Sequence, residues 1–130
     1  MKRVFISFRA EDRQRVNGLR LLAANPRFAV EFYDESVRSA YKSSDTSYIR
    51  SQIRQKIYRT SVTLCLISEL TYTSQWVIWE IEESIAKGNK IIAMGFPGGP
   101  DRLTLPAPMK RLNLPWYSWD LDELQRQIGS

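Results

Sequence analysis

Apolar residues run along this chain in two alternating rhythms. Short, nearly unbroken apolar runs occupy positions 4–8, 28–33, 61–68, 90–96 and 116–119. Each reads as a strand, and the first is like a strand covered on both faces. Between the runs, apolar positions recur at helical spacing: Val16, Leu19, Leu22 and Ala23; then Ile49, Ile53 and Ile57; then Val77, Ile78, Ile81 and Ile85; finally Leu121, Leu124 and Ile128. Punctuation agrees with the rhythm. Glu11 and Asp12 suit the start of a first helix, which Asn25-Pro26 ends. A second helix is predicted over about 46–59, and a third over 75–87, capped by Ser74 and closed by Gly88. Asp120 with Glu123 forms a capping-box pattern for the last helix. Two stretches lack both rhythms. Positions 34–47 form a long polar loop carrying Arg38 and Lys42, and the Gly/Pro-rich positions 97–108 break regular structure.

Strands alternating with helices imply a parallel sheet with right-handed crossovers. Five such strands predict one α/β domain over 1–130, a three-layer flavodoxin-like fold with sheet order 2-1-3-4-5. Ligands of such sheets bind beyond the carboxyl ends of the strands, at the switch point between strands one and three. That rule singles out Phe8 to Asp12, the 34–47 loop, and Ser68 to Glu80.

Composition narrows the chemistry. The 130 residues contain no histidine, which removes histidine acid–base catalysis, Ser-His-Asp and Cys-His mechanisms and His-ligated zinc. A single cysteine, Cys65, lies inside an apolar run, so no disulfide framework or cysteine-rich metal site is expected, and Cys65 reads as a small core side chain. The net charge of +5 suits an anionic ligand such as a phosphate, a nucleotide or a nucleic acid, or simply a well-solvated surface. No apolar run approaches the roughly 20 residues needed to cross a bilayer. The apolar start ends at Arg9, too short for a signal peptide, so a cytoplasmic protein is expected.

Any catalysis would have to use carboxylates, Lys, Arg, Ser, Tyr or backbone dipoles, and the third helix offers a carboxylate candidate. Trp76, Glu80, Glu83 and Lys87 share one stripe at i, i+4, i+7 and i+11. Glu83 and Lys87 can pair with each other. Glu80 has Ser84, not a cation, four residues on, and it lies one turn after Trp76 near the carboxyl edge of the sheet. A carboxylate beside an indole at a switch-point cleft is a catalytic candidate, against the plainer reading of a solvated glutamate.

Two segments carry a family resemblance. Val4-Phe5-Ile6-Ser7-Phe8-Arg9 resembles the first conserved box of TIR domains, an apolar strand ending in Ser, an aromatic and a basic residue. Ser74-Gln75-Trp76-Val77-Ile78-Trp79-Glu80-Ile81 resembles the TIR segment that opens the third helix with Trp, then Cys or Val, and a Glu four residues after the Trp. The likeness covers roughly residues 3 to 96 and is closest to the compact prokaryotic TIR-like family that includes the TIR subunit of Thoeris antiphage defence. The Gly/Pro stretch replaces much of the usual fourth helix.

The resemblance implies that Glu80 is catalytic and that NAD is a substrate, not a cofactor, cleaved between nicotinamide and ribose. The product would be ADP-ribose, or a cyclic isomer used as a signal to a downstream effector protein. It also implies self-association through TIR surfaces. Further substrate-binding roles fall on Ser7 for a ribose or phosphate oxygen, Phe8 for ring stacking and Arg9 for phosphate. Trp76 would form an aromatic wall, and Arg38, Lys42, Ser43 and Ser44 would close over the dinucleotide. The plain alternatives are core packing for Phe8 and Trp76 and solvated charge for Arg9, Arg38 and Lys42.

Competing functions separate on particular residues. A receiver domain needs an Asp at the end of strand three, where this chain has Ser68-Glu69. A nucleoside deoxyribosyltransferase also uses a Glu against an N-glycosidic bond, although the Trp76-to-Glu80 spacing fits the TIR pattern better. A non-catalytic TIR interaction module is the alternative from another class. Nucleic-acid binding by Arg50, Arg54, Lys56 and Arg59 has no supporting motif.

Overall fold

A computed structural model of the chain describes residues 2–22, 30–34, 45–99 and 102–129. Five parallel strands form one sheet in the order β2-β1-β3-β4-β5. They are β1 (Lys2–Ser7), β2 (Val30–Asp34), β3 (Val62–Ile67), β4 (Lys90–Gly95) and β5 (Trp116–Tyr117). The helices are α1 (Arg13–Leu22), α2 (Thr46–Tyr58), α3 (Gln75–Lys87), α4 (Ala107–Arg111) and α5 (Leu121–Gly129). Short 3-10 turns cover Ala10–Asp12 and Thr71–Thr73. The predicted architecture and strand order hold.

Side-chain alternation divides the core between two faces of the sheet. Val4, Ile6, Leu64, Leu66, Ile92 and Met94 pack toward Val16 and Leu19 of α1 and Leu124 and Ile128 of α5. On the other face, Cys65, Ile67 and Ala93 meet Val77 and Ile81 of α3 and Met109 of α4. There too, Phe5 meets Ile49, Ile53 and Ile57 of α2. Each fully buried Leu, Ile or Phe side chain contributes about 1.5–3 kcal/mol through removal from water.

Local signals fix the helix that matters most. The Ser74 hydroxyl accepts from the Val77 N–H at 3.2 Å and starts α3. Gly88 ends it in the left-handed conformation at φ +92°, which costs glycine nothing. At the last helix, Asp120 accepts from the Asp122 and Glu123 N–H groups. The second half of that expected capping box does not form, because the Glu123 carboxylate pairs with Arg126 at 3.2 Å.

Two other expectations need correction. The 97–108 stretch is not wholly irregular: Ala107 begins the short helix α4, with Pro108 in its first turn, where a missing N–H costs nothing. Glu83 does not pair with Lys87. It holds Arg54 of α2 in two hydrogen bonds, at 3.2 and 3.4 Å, while Lys87 donates to the Thr60 carbonyl. The Glu83 hydrogen bond and charge raise the Arg54 pKa and fasten α2 to α3.

Candidate active site

Glu80 is fully buried, at 0% exposure, so the solvated-glutamate reading fails. Its place follows from the helix period: Val77, Glu80, Ile81 and Ser84 form the buried stripe of α3, while Ile78 and Ile85, predicted as part of it, are only partly buried. The carboxylate meets the sheet at the ends of β1 and β3. Ser7 Oγ donates to Glu80 Oε1 at 2.8 Å, and Ser7 pairs in register with Cys65. Burial pushes the Cys65 thiol well above its ordinary pKa, and the neighbouring Glu80 carboxylate adds to the shift. The predicted switch point and the predicted carboxylate therefore coincide.

A buried hydrogen-bond chain holds the backbone of this turn. Ser84 Oγ donates to the Glu80 carbonyl at 2.8 Å and accepts from Thr63 Oγ1 at 2.7 Å. Asn89 Nδ2 donates to Thr63 Oγ1 and Thr60 Oγ1, and Thr60 Oγ1 donates to the Ile57 carbonyl. The chain thus links α3, β3 and the end of α2. Burying so many polar groups is costly unless they satisfy one another, as these do.

A second polar cluster lies past the ends of β1 and β3. Asp12, 4% exposed, accepts from Ser68 Oγ at 2.7 Å, and Thr71 Oγ1 accepts from the Ser68 N–H at 2.7 Å. Arg9 and Arg15 flank Asp12 at 3.6 and 3.5 Å. The switch-point rule singled out segments that contain Asp12 and Ser68, but neither residue was named as a site candidate. A hydroxyl directly after an apolar strand, opposite an acid after β1, was the available sign of this junction.

The other predicted site residues distribute as follows. Ser7, fully buried, touches Glu80 directly. Arg9 is partly exposed and is ion-paired with Glu11 at 3.1 Å as well as with Asp12. Phe8 is 1% exposed and belongs to the apolar core on the α1 side, with the Arg13 guanidinium 6.0 Å from its ring centroid. Trp76 packs at the junction of α2 and α3, 5.9 Å edge-on from Trp79, and Arg50 lies over both indoles. Its ring meets Arg50 of α2 and Trp79 of α3, whereas Glu80 turns to Ser7. Arg38, Lys42, Ser43 and Ser44 lie outside the described residues. No group of three or more His, Cys, Asp or Glu that could hold a metal ion occurs among the described residues. No helix among them is long and apolar enough to cross a membrane.

Comparison with known proteins agrees with this geometry. The family described as "Thoeris protein ThsB, TIR-like domain" matches residues 5–101. A Bacillus cereus (strain MSX-D12) protein, ThsB1, named as a proposed cyclic ADP-D-ribose synthase, is 39% identical over 98 residues. Those residues are 72% of this chain and 50% of the relative, so the chain spans about half the length of that relative. Among solved structures, the TIR domain of the Toll-related receptor TRR-2 from Hydra magnipapillata superposes with a TM-score of 0.66 at 16% identity, covering 98% of each chain. The 2-deoxyribosyltransferase of Bacillus psychrosaccharolyticus also scores 0.66, at 12% identity, covering 95% of this chain and 90% of its own. These two likenesses establish the fold. The family match, together with a buried glutamate at the β1–β3 switch point, places this chain in the TIR-like domain family of the Thoeris protein ThsB.

Proposed function

We propose that this chain cleaves NAD at the bond between nicotinamide and ribose, with Glu80 as the catalytic carboxylate. The observation that carries the reading is the full burial of Glu80 against Ser7 at the sheet's switch point. A buried carboxylate weakens a helix–sheet core, so its presence there points to use. The chemistry suits a site without histidine. Nicotinamide leaves NAD from an already cationic ring and needs no proton from a general acid. Ordinary glycoside hydrolysis needs a second carboxyl group to protonate its leaving oxygen. One carboxylate suffices here, stabilising the positive charge that grows on the ribose as the bond breaks.

In this reading Ser7 is a positioning residue, whose hydroxyl fixes the rotamer of Glu80. Arg9 stands at the same edge as a phosphate-binding cation. Attack by water would release ADP-ribose, and attack by a hydroxyl of the same molecule would give a cyclic isomer. The likeness to ThsB1, by its name, favours the cyclic product, which would act as a signal on a separate effector protein. Self-association through TIR surfaces belongs to the same proposal.

The test is incubation of the purified protein with NAD, followed by chromatography and mass measurement of the products. Wild-type protein should release nicotinamide together with an ADP-ribose species, and Glu80→Gln should not. Equal turnover by both proteins would remove Glu80 from the chemistry. A wild-type protein inert toward NAD under assembly conditions would favour the interaction module. Conversion of a deoxynucleoside in place of NAD would favour the deoxyribosyltransferase reading.

A further inference from the structure

A pocket of about 170 Å³ opens beyond the carboxyl ends of β4 and β5, away from Ser7 and Glu80. Its walls include Trp116, Trp119 and Ser118 from the β5 region and Gly95, Phe96 and Gly98 from the turn after β4. Glycine makes this cradle possible. A Cβ on Gly95 would stand 3.0 Å from a methyl of Leu103 and 3.8 Å from the Trp116 ring. Gly98 turns the chain at φ +71°, a conformation that side-chain-bearing residues resist. The volume falls below the roughly 300–1,000 Å³ of pockets that enclose a whole drug-sized ligand. It is of a size for one planar ring system, and the aromatic side chains Trp116, Trp119 and Phe96 line it.

A cation stands beside it. The Arg15 guanidinium lies 4.2 Å from the centroid of Phe96, a wall of the pocket, and pairs with Asp12 at 3.5 Å. A ring seated in the pocket could therefore carry a phosphate on the side facing Arg15. Position adds to the argument. From β1 to the gap between β4 and β5 is two to three strand spacings, or roughly 10–14 Å. A pyrophosphate joining two ribosides spans a gap of that order. Arg15, paired with Asp12 past β1 and lying over Phe96 past β4, stands within that gap.

We infer that the β4–β5 pocket binds the adenine ring of an adenosine 5′-phosphate, with Arg15 meeting the phosphate; resting on the proposed NAD reaction, it seats the adenosine half of the dinucleotide whose nicotinamide end reaches Glu80. The inference is tested by calorimetric titration of the Glu80→Gln chain, which should bind without turnover, with AMP, adenosine and nicotinamide mononucleotide. AMP should bind, and Trp119→Ala should weaken it roughly tenfold, the loss expected of one stacking contact. Because Trp119 also packs on the core, Ser118→Phe provides a second variant, which fills the pocket from an exposed position. It should weaken AMP to a similar degree and leave nicotinamide mononucleotide unchanged. Arg15→Gln should weaken AMP but not adenosine. AMP affinity unaltered by both Trp119→Ala and Ser118→Phe, or no AMP binding at millimolar concentration, would overturn the inference. The two readings fail separately. Trp119-dependent AMP binding in a protein that does not consume NAD keeps the pocket and removes the reaction. NAD cleavage with a KM indifferent to Ser118→Phe keeps the reaction and removes the pocket.

Discussion

The two faces of one sheet differ in what they bury. Toward α1 and α5, strand β3 turns Val62, Leu64 and Leu66, and β1 adds Val4 and Ile6, so the strand side chains there are apolar. Toward α2 and α3, the same strands turn Thr63, Cys65, Ser7 and Phe5, and α3 answers with Glu80 and Ser84. A face needed only for stability has no use for three buried hydroxyls and a carboxylate, because apolar side chains of similar size pack without polar partners. The difference separates a face that keeps the fold together from a face that keeps one acid in place. Substitutions on the first should change stability and leave the chemistry alone; substitutions on the second should change the chemistry, whatever they also cost in stability.

The largest expected effect is on Glu80 itself. Glu80→Gln keeps the shape of the side chain and an oxygen for the Ser7 hydroxyl to meet, so the protein should fold with a melting temperature near that of the wild type. Under the proposed NAD reaction its turnover should fall by about 10²–10³-fold or more, the scale of losing one preorganised electrostatic contact in a buried site. A fall in melting temperature large enough to explain the lost activity would erase the distinction between the faces.

Leu64→Ala is the counterpart on the apolar face. Leu64 is 2% exposed in the α1-side cluster, and truncating it should cost about 2–5 kcal/mol, read as a lower midpoint in urea unfolding. Turnover per folded molecule should stay within about twofold of wild type, since Leu64 points away from α3. Thr63→Val, one position earlier and on the opposite face, should cost about 1–3 kcal/mol, because Ser84 and Asn89 each lose a buried partner. It should also slow turnover several-fold by loosening the Ser84 bond to the Glu80 carbonyl. Equal kinetic effects of Leu64→Ala and Thr63→Val would break the comparison.

Much of this division was legible in the sequence, and the reason is periodicity. The all-apolar runs located β1, β3 and β4, and the Ser74 and Gly88 signals bounded α3 at both ends. The switch-point rule and the family resemblance then led to Glu80. The polar thread was harder to read, because Thr63 and Ser84 fit a strand and a helix as well as apolar residues do, and their pairing joins positions 21 apart. The ion pair of Glu83 was misassigned for a related reason. Spacing within a helix favours Lys87, but packing of α2 on α3 brings Arg54 nearer. Trp76 likewise shares a helical stripe with Glu80, yet a single turn separates a side chain held between two helices from one held against the sheet. The β4–β5 pocket was hidden because the Gly/Pro run reads as a break, with nothing in it to say that Trp116 and Trp119 would close its far side.

Cys65 allows the smallest and most discriminating measurement. It is fully buried between the two functions, on the polar face but within an apolar cluster. Burial raises its thiol pKa in the folded protein, and the adjacent Glu80 carboxylate raises it further. In the unfolded chain the thiol titrates near its ordinary value of about 8.5. Below that pH both states keep the proton and the thiol adds no pH dependence. Above it the unfolded chain releases a proton that the folded chain retains, so stability falls as pH rises, by at most about 1.4 kcal/mol per unit. Other groups titrate in the same range, so the informative quantity is a difference. Urea unfolding from pH 8 to pH 10 should show a steeper loss for wild type than for Cys65→Ala, whatever the offset between them. The same thiol should resist alkylation in the folded protein at pH 8 and react once urea unfolds it. Parallel slopes for the two proteins, or prompt alkylation of the folded one, would mean that water reaches the Ser7–Glu80–Cys65 junction freely. The acid would then sit in a wetter place than its hydrogen bond to Ser7 implies, and the contrast between the faces would weaken at the point where it matters for catalysis.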